Sequence, residues 1–255
     1  MMYGVPVIVV VPAYNEERIL PRVLAKMPAS VDRIIVVDDA SRDRTSEVAR
    51  GFGGRVELVQ HIDNRGVGAA IVSGYAWALA TTPDPRAAFV VMAGDDQMCA
   101  DDLPPLVEPI ASGEADYVKG NRFAWPGARS AMPPLRFAGG QMLSWLTSAA
   151  IGRRVHDTQC GFTALARQAC ATLDLEGLWP RYGYPNDLLG QLAVRGMRIV
   201  ERPVRPIYAD EVSRLQPRHV PRIVWLIARA GVRKRFSEPL SGPLSGPLSG
   251  TAPAR

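Results

Sequence analysis

The chain has 255 residues, of which 47% are hydrophobic and 22% are charged, as in ordinary soluble globular proteins. Its three cysteines show neither the paired spacing of a metal site nor a secreted disulfide framework, and no apolar run reaches the ~18 residues of a membrane span. With no N-terminal signal visible, these features predict a cytoplasmic protein. The net charge of +5 favours an anionic partner, which includes phosphates, an acidic membrane surface and nucleic acid.

Strand-like and helix-like segments alternate through the first part of the chain. In order, they are a strand at 5–14, a helix at 15–27, a strand at 31–41, a helix at 41–50, a strand at 56–61, a helix at 66–80 and a strand at 87–95. The strands are continuous apolar runs, which is typical of strands buried on both faces. The alternation therefore predicts an α/β fold with a mostly parallel central sheet flanked by helices.

A polar cluster follows each predicted strand. The clusters are residues 12–16, Asp38 with Asp39, residues 64–65, and the adjacent carboxylates at 95–96. Because ligands of parallel sheets bind at the carboxyl ends of the strands, we expect the clusters to converge on one crevice. Crowded carboxylates repel unless a cation compensates them, and oxygen ligands suit Mg²⁺ or Mn²⁺ bound together with substrate phosphates. Taken alone, Asp38 or Asp96 is better explained as a helix cap or a turn residue, but four such clusters in register favour a shared site.

Other phosphate-binding and catalytic signatures are absent from the sequence. No G-x-x-x-x-G-K-[ST] loop is present, and no G-x-S-x-G or H-E-x-x-H motif is found. The segment "GVGAAI" at 66–71 lacks the third glycine of a dinucleotide fingerprint and follows the third strand rather than the first. We interpret Gly66 and Gly68 as close-packing positions at the start of a helix.

Five motifs together resemble a known enzyme family. The segments "VPAYNEE", "VVDDASRDRT", "NRGVGAAIVSGY", "MAGDDQM" and "DTQCGFTALAR" occur in the order seen in family 2 glycosyltransferases of the GT-A fold. The sequence is most similar to the dolichyl-phosphate mannose synthase and polyprenyl-phosphate sugar transferase branch, over roughly residues 5 to 215. The resemblance implies a Rossmann-like GT-A domain over residues 4–217, a nucleotide-diphosphate sugar donor, Mg²⁺ or Mn²⁺ as cofactor, and no nucleic-acid partner.

The resemblance also implies roles for individual residues. Those expected to bind the nucleotide-sugar are Pro12, Tyr14, Glu16, Val37, Asp39, Gly94, Asp95 and Arg122. The expected metal ligands are Asp95 and Gln97, with Asp96 partly substituting for the first acidic position of the family motif, where this chain has Ala93. Arg214, in the acceptor-side segment "YADEVSRL", is expected to contact phosphate oxygens.

The implied reaction is displacement at a sugar anomeric carbon, with Asp95 assisting departure of the nucleoside diphosphate. A phosphate acceptor is already an anion and needs no general base, whereas a hydroxyl acceptor needs a carboxylate to take its proton. Asp187, before an apolar helix, is the expected catalytic carboxylate for the second case. The alternative is that Asp187 caps that helix.

The C-terminal segments differ from the rest of the chain. Residues 218–236 predict a basic amphipathic helix with Arg218, Arg222, Arg229 and Arg233 on one face. Two interpretations stay open: the helix lies in an anionic membrane surface, or it packs on the domain with a solvated basic face. Residues 237–255 repeat Pro-Leu-Ser-Gly and predict a disordered tail.

The sequence therefore predicts an enzyme that transfers a sugar, with inversion, to an acceptor for which polyprenyl phosphate is the first choice. One alternative is transfer to a hydroxyl of a saccharide or small metabolite. The other is a catalytically silent nucleotide-sugar-binding protein, motivated by Ala93. We expect a cytoplasmic protein, or one bound peripherally at the inner face of the cell membrane. No visible residue fixes the sugar or the base.

Overall fold

A seven-stranded sheet forms the centre of the computed structural model, which describes residues 1–208 and 219–237. The strands are β1 (Val7–Ala13), β2 (Arg33–Asp38), β3 (Val56–Gln60), β4 (Ala88–Val91), β5 (Tyr117–Asn121), β6 (Thr163–Ala166) and β7 (Ile199–Pro203). Their spatial order is β3-β2-β1-β4-β6-β5-β7. Only β6 pairs antiparallel to its neighbours. This arrangement confirms the predicted α/β fold with a mostly parallel sheet.

Helices cover both faces of the sheet. They are α1 (Leu20–Ala25), α2 (Thr45–Phe52), α3 (Val67–Thr81), α4 (Leu103–Ala111), α5 (Ala128–Ala131), α6 (Pro134–Ile151), α7 (Arg167–Ala171), α8 (Tyr184–Val194) and α9 (Val220–Ser237). Alternate side chains of β1 enter different cores: Val9 packs with α1 and α4, and Val10 packs with α3 and α8. Burial on both faces explains why β1 is an uninterrupted run of apolar residues.

Two helices begin later than the sequence pattern predicts. The first predicted helix starts at residue 15, but Asn15 has a φ of 55°, which a helix does not permit, and α1 begins at Leu20 with a proline in its first turn. The second was expected to start at Ser41, and α2 begins at Thr45. The intervening residues instead form loops that hydrogen-bond to each other.

The glycines of α3 allow close packing, as predicted for Gly66 and Gly68. A Cβ atom on Gly68 would overlap the carbonyl oxygen of Trp179, and one on Gly74 would overlap the side chain of Val10. The amide of Ala69 donates to the carbonyl oxygen of Pro180 at 2.9 Å. The first turn of α3 is therefore covered by the protein's own backbone.

The pairing register places the ends of the strands at a common edge. Pro12 pairs with Val37, and Asp38 pairs with Gln60. Since β5 and β4 both run antiparallel to β6, the ends of β4 and β5 lie at this same edge. We call it the carboxyl edge of the sheet.

Helix α9 occupies most of the range predicted for the C-terminal helix and packs against α6 and α8. Arg214 and Arg218 lie outside the described residues, as does the predicted tail beyond Ser237. Among residues 1–208 and 219–237, no helix combines the length and the apolar character required to cross a membrane.

Candidate functional site

The loops that follow β1 and β2 are joined by hydrogen bonds at the carboxyl edge. The amide of Asn15 donates to Ser41 Oγ at 2.9 Å, and the amide of Arg42 donates to Asn15 Oδ1 at 2.9 Å. The amide of Glu16 donates to Thr45 Oγ1 at 2.8 Å, and the Glu16 side chain is buried. Tyr14 is half-buried beside them. The predicted residues of the first cluster therefore sit on a loop whose backbone is fixed.

Asp38 fixes the turn that leads into α2. Its buried carboxylate accepts hydrogen bonds from the amide and hydroxyl of Ser41 and from the hydroxyl of Ser46. These donors lie within its own chain segment, so Asp38 holds the turn between β2 and α2, although it does not cap the backbone of α2.

Asp39 holds the loop between β3 and α3. Its carboxylate accepts hydrogen bonds from the amides of Arg65 at 2.9 Å and Gly66 at 2.7 Å, and Oδ1 lies 2.7 Å from His61 Nδ1. Its backbone amide donates to the carbonyl of Ala13 at 2.9 Å, which places Asp39 directly beside the end of β1.

His61 is a further residue of this edge, and the sequence analysis assigned it no role in the site. The imidazole is buried, and its Nε2 lies 2.9 Å from Ser73 Oγ, so it joins Asp39 to α3. The only sequence signal was its position directly after the third strand. A lone histidine at that position is compatible with packing as well.

Strained backbone marks the same edge. Asn15, Ala40 and Asp96 follow β1, β2 and β4, and their φ angles are 55°, 60° and 56°. Positive φ is uncommon outside glycine and is unfavourable for alanine in particular. Residues in this conformation concentrate at functional sites, because the surrounding contacts must hold them there.

The loop after β4 brings Asp95 and Gln97 together. The amide of Gln97 donates to Asp95 Oδ1 at 3.1 Å, and the amide of Gly94 donates to the carbonyl of Pro12 at 3.2 Å. Asp39 is therefore bonded to the end of β1 on the β2 side. Asp95 follows Gly94, which is bonded to the end of β1 on the β4 side. The described residues contain no group of three or more His, Cys, Asp and Glu side chains arranged to hold a metal.

Asp96 differs from its predicted role as a metal ligand. Its carboxylate forms ion pairs with Arg22 at 2.8 Å and Lys26 at 2.9 Å, both on or beside α1. Two cations already compensate its charge, so these contacts favour a role in holding the β4 loop against α1.

Val37 also departs from its expected role. Its side chain is fully buried in the core beneath α3, together with Ile8 and Val10. Alternation along β2 turns Val37 into this core, so its side chain does not line a crevice. Pro12 is likewise buried, and it contributes its carbonyl to the contact with Gly94.

Arg122 follows β5 at the carboxyl edge and is paired with Asp157. Nε and Nη2 donate to the two carboxylate oxygens at 2.8 and 2.9 Å, and Nη1 donates to Tyr208 Oη at 3.3 Å. Although burial lowers the pKa of Arg122, the charge of Asp157 and its hydrogen bonds raise it above the usual value. Burial alone would raise the pKa of Asp157, but the guanidinium holds it below its usual range.

Asp187 lies in the first turn of α8, and its position disagrees with the catalytic interpretation. The carboxylate is fully buried, accepts a hydrogen bond from the amide of Trp179 at 2.9 Å, and forms an ion pair with Arg233 at 2.7 Å. Arg229 lies 3.6 Å from its other oxygen. Both oxygens face α9 or the Trp179 segment, so Asp187 anchors α9 to α8.

Two arginines of α9 are therefore turned inward. Arg229 and Arg233 contact Asp187, whereas Arg222 is exposed and its guanidinium lies 4.8 Å from the ring centre of Trp179. Helix α9 packs on the domain, as one of the two interpretations expected, but Arg229 and Arg233 bind a buried carboxylate where that interpretation placed them in water.

A cavity of about 160 Å³ lies elsewhere, lined by Asp174, Gln191, Val194, Arg195 and Arg233. None of the predicted site residues lines this cavity. The candidate site is thus the carboxyl edge, where strand ends bring together Glu16, Asp39, Asp95 and the Arg122–Asp157 pair.

Comparison with known proteins identifies a family. The family model described as "Glycosyl transferase family 2" matches residues 8–172. A dolichyl-phosphate hexose transferase of Haloferax volcanii is 34% identical over 203 residues, covering 77% of this chain and 80% of the relative. A UDP-N-acetylglucosamine–dolichyl-phosphate N-acetylglucosaminyltransferase of Methanococcus voltae is 28% identical, covering 79% of this chain and 85% of the relative.

A solved structure shares the fold. It is the crystal structure of glucosyl-3-phosphoglycerate synthase from Mycobacterium tuberculosis in complex with Mn²⁺, UDP and phosphoglyceric acid, with a TM-score of 0.64 and 22% identity. The match covers 94% of this chain and 81% of that chain. This likeness confirms the predicted GT-A fold.

Proposed function

Because the chain belongs to glycosyltransferase family 2, we propose that it transfers a sugar from a nucleotide-diphosphate sugar to a polyprenyl phosphate, with inversion at the anomeric carbon. Relatives that share 28% and 34% identity with it are transferases whose names specify dolichyl phosphate. Such an enzyme works at the inner face of the cell membrane, as a peripheral protein.

The contacts of Asp187 favour a phosphate acceptor over a hydroxyl acceptor. A hydroxyl acceptor needs a base, and the carboxylate expected to supply it is engaged with Arg229, Arg233 and the amide of Trp179. A phosphate acceptor attacks as an anion and needs no proton acceptor. The ion pairs of Asp187 therefore support a phosphate.

The nucleotide-sugar donor fits the part of the carboxyl edge that the loops after β1 and β2 form. The loops bearing Tyr14 and Glu16 adjoin Asp39, whose oxygens are acceptors for a ring N–H of a nucleobase. Asp39 is oriented by the amides of Arg65 and Gly66, so the loop is ordered before the nucleotide arrives. The amide of Gly94, bonded to the carbonyl of Pro12, keeps the neighbouring loop close to β1, beside the proposed diphosphate position.

The residues after β4 fit a divalent cation that is shared with the substrate. Asp95 supplies a carboxylate and Gln97 an amide oxygen, and Mg²⁺ or Mn²⁺ completes such a site with water and substrate phosphates. When bound, the cation neutralises charge that develops on the leaving diphosphate. The neighbour that shares the fold was crystallised with Mn²⁺ and UDP.

Arg122 is held at the carboxyl edge with its charge in place. Asp157 fixes its guanidinium plane, and Nη1 donates to Tyr208 Oη. We propose that Arg122 lies beside the diphosphate of the donor, while Arg214 binds the phosphate oxygens of the acceptor.

A release assay tests the proposal. The protein is incubated with Mg²⁺ or Mn²⁺, with UDP-glucose, UDP-N-acetylglucosamine or GDP-mannose, and with either a short polyprenyl phosphate or the matched polyprenol. We expect nucleoside diphosphate to be released only with the phosphate. Release with the polyprenol or with a free saccharide would favour a hydroxyl acceptor, and nucleotide-sugar binding without release under any condition would favour a silent binding protein.

A further inference from the structure

The outer side of α6 carries an apolar stripe that no described part of the chain covers. Leu135, Met142 and Trp145 are exposed by 87%, 57% and 69% of their surface. Ala138 and Ala149 lie on the same stripe and are also exposed. These positions recur at intervals of three and four residues, the spacing of one helical face. Large apolar side chains this exposed are unusual when they form a row.

Helix α9 carries a second stripe of this kind. Val224, Val232 and Phe236 are exposed by 45%, 56% and 83%, and Ala228 lies between them and is exposed as well. This side is opposite to the buried residues Ile223, Leu226 and Ala230, and Arg229 and Arg233 lie between the two sides, where they meet Asp187. The helix therefore presents apolar side chains both toward the protein and outward.

The two stripes form one surface. Leu143 of α6 packs with Ile223 and Ile227 of α9, and a Cβ on Gly231 would lie 3.4 Å from the Cβ of Ala150. These contacts advance along both helices in the same direction, so the helices run parallel. Helix α8 lies beneath both, through Asn186 bonded to Thr147 of α6 and through Asp187 bonded to α9. The exposed stripes point away from α8 on the same side, and we call them together the α6–α9 outer face.

Positive charge surrounds one end of this face. Neither α6 nor α9 contains an aspartate or glutamate. Where the two helices end, the chain places Arg153 and Arg154 after α6, and Lys234 and Arg235 in the last turn of α9. The side chain of Lys234 lies against Gly152, so the two basic groups adjoin each other.

We propose that the α6–α9 outer face docks on an anionic lipid surface, with the apolar stripes in the acyl–headgroup boundary and the basic end among the headgroup phosphates. An apolar face bordered by lysine and arginine has the chemistry of interfacial helices. A second copy of the chain is a poorer complement, because this face offers no acidic side chain to meet the basic end of its partner. The bound surface is thus different from the arginine face that the sequence pattern suggested.

Flotation with lipid vesicles tests the proposal on the full chain, without donor or acceptor. The vesicles are phosphatidylcholine alone or phosphatidylcholine mixed with phosphatidylglycerol. We expect the protein to float with the mixed vesicles, and W145D/V232D to bind them at least about tenfold more weakly, since each aspartate would have to enter the apolar boundary. Both positions are exposed, so circular dichroism and the melting temperature of the variant should match those of the parent.

Ile62 offers a matched control, because it is fully exposed, at 101%, on the loop after β3 and outside the face. Phe52, on α2, is also exposed outside the face, so F52D/I62D introduces the same two charges and should bind vesicles as the parent does. Failure of the parent to float with anionic vesicles would overturn the proposal, as would equal binding by W145D/V232D. So would sedimentation showing a dimer that W145D/V232D dissociates, since the face would then be a contact between copies. The assay contains no sugar substrate, so its result is independent of the proposed acceptor.

Discussion

Buried carboxylates early and late in the chain are held in different ways. Next to β1 and β2, Asp38 and Asp39 accept hydrogen bonds from hydroxyls, amides and an imidazole. Beyond β5, Asp157 and Asp187 are held by the guanidinium groups of Arg122, Arg229 and Arg233.

This difference distinguishes carboxylates that can bind a ligand from carboxylates that hold the fold together. A carboxylate that amides and hydroxyls hold in place keeps its charge available to a ligand, since neutral donors orient it without cancelling that charge. A carboxylate paired with guanidinium groups is neutralised, and removing it leaves buried cations without a negative partner. We therefore expect substitution of Asp95 to alter the reaction and substitution of Asp187 to alter stability.

The largest effect is expected for Asp95→Asn. The proposed metal site has one carboxylate of its own, and the loss of that charge weakens the cation that stabilises the leaving diphosphate. We expect kcat/KM with Mg²⁺ or Mn²⁺ to fall about 1,000-fold, the upper range for loss of one transition-state charge contact. Steady-state release of nucleoside diphosphate measures it.

Asp101→Asn is the matched control, because Asp101 lies in the same segment and its side chain is 77% exposed. That variant should retain parental kinetics. Parental activity in Asp95→Asn would remove Asp95 from the site, and an equal loss in both variants would indicate that the loop, rather than the ligand, was disturbed.

A smaller effect, on stability, is expected for Asp187→Asn. The change removes the buried charge shared by Arg229 and Arg233, and breaking a buried pair from one side typically costs about 3 kcal/mol. Urea unfolding should show this loss, while kcat of the folded variant stays within about twofold of the parent.

Asp116→Asn offers the comparison, because Asp116 pairs with Arg198 at a site where the arginine is 55% exposed. That change should cost less than about 1 kcal/mol. A catalytic role for Asp187 would appear as the reverse pattern, in which kcat falls steeply and the unfolding midpoint does not move.

The sequence was sufficient for the fold and the family. Continuous apolar strands predicted the mostly parallel sheet, and the ordered motifs predicted the GT-A glycosyltransferase; the structure and the comparisons confirm both. The position of the carboxyl edge also followed from the pattern, because a polar cluster follows each of the first four strands. The sequence pattern did not indicate which group pairs with each carboxylate.

Contacts with residues far away in the sequence explain why Asp187 and Asp96 differ from their predicted roles. Asp187 pairs with arginines more than forty residues later, and Asp96 pairs with cations on α1, so neither contact has a local signature. The orientation of α9 was missed for a related reason. Arginines on one side of a helix are typical of a surface helix, but here the buried carboxylate of Asp187 draws Arg229 and Arg233 inward. Arg214 lies outside the described residues, and its role stays a prediction.

The smallest effect is expected at His61, which joins Asp39 to Ser73. In His61→Ala, Asp39 keeps its two amide donors but loses the imidazole, so it should bind the nucleobase in a less fixed orientation. Loss of one such hydrogen bond is worth about 1 kcal/mol, which predicts a rise of about fivefold in KM for the nucleotide sugar with kcat unchanged.

His61→Asn separates this role from simple packing. The asparagine amide reaches the position of Nδ1 and donates to Asp39, although it fills less volume than the imidazole. If orientation of Asp39 is what matters, the asparagine variant should recover most of the donor affinity. If His61 only fills space, the alanine and asparagine variants should both lose stability and leave KM unaltered. A fall in kcat at constant KM would instead tie the imidazole to the chemical step, and would move Asp39 from nucleotide binding toward the reacting centre.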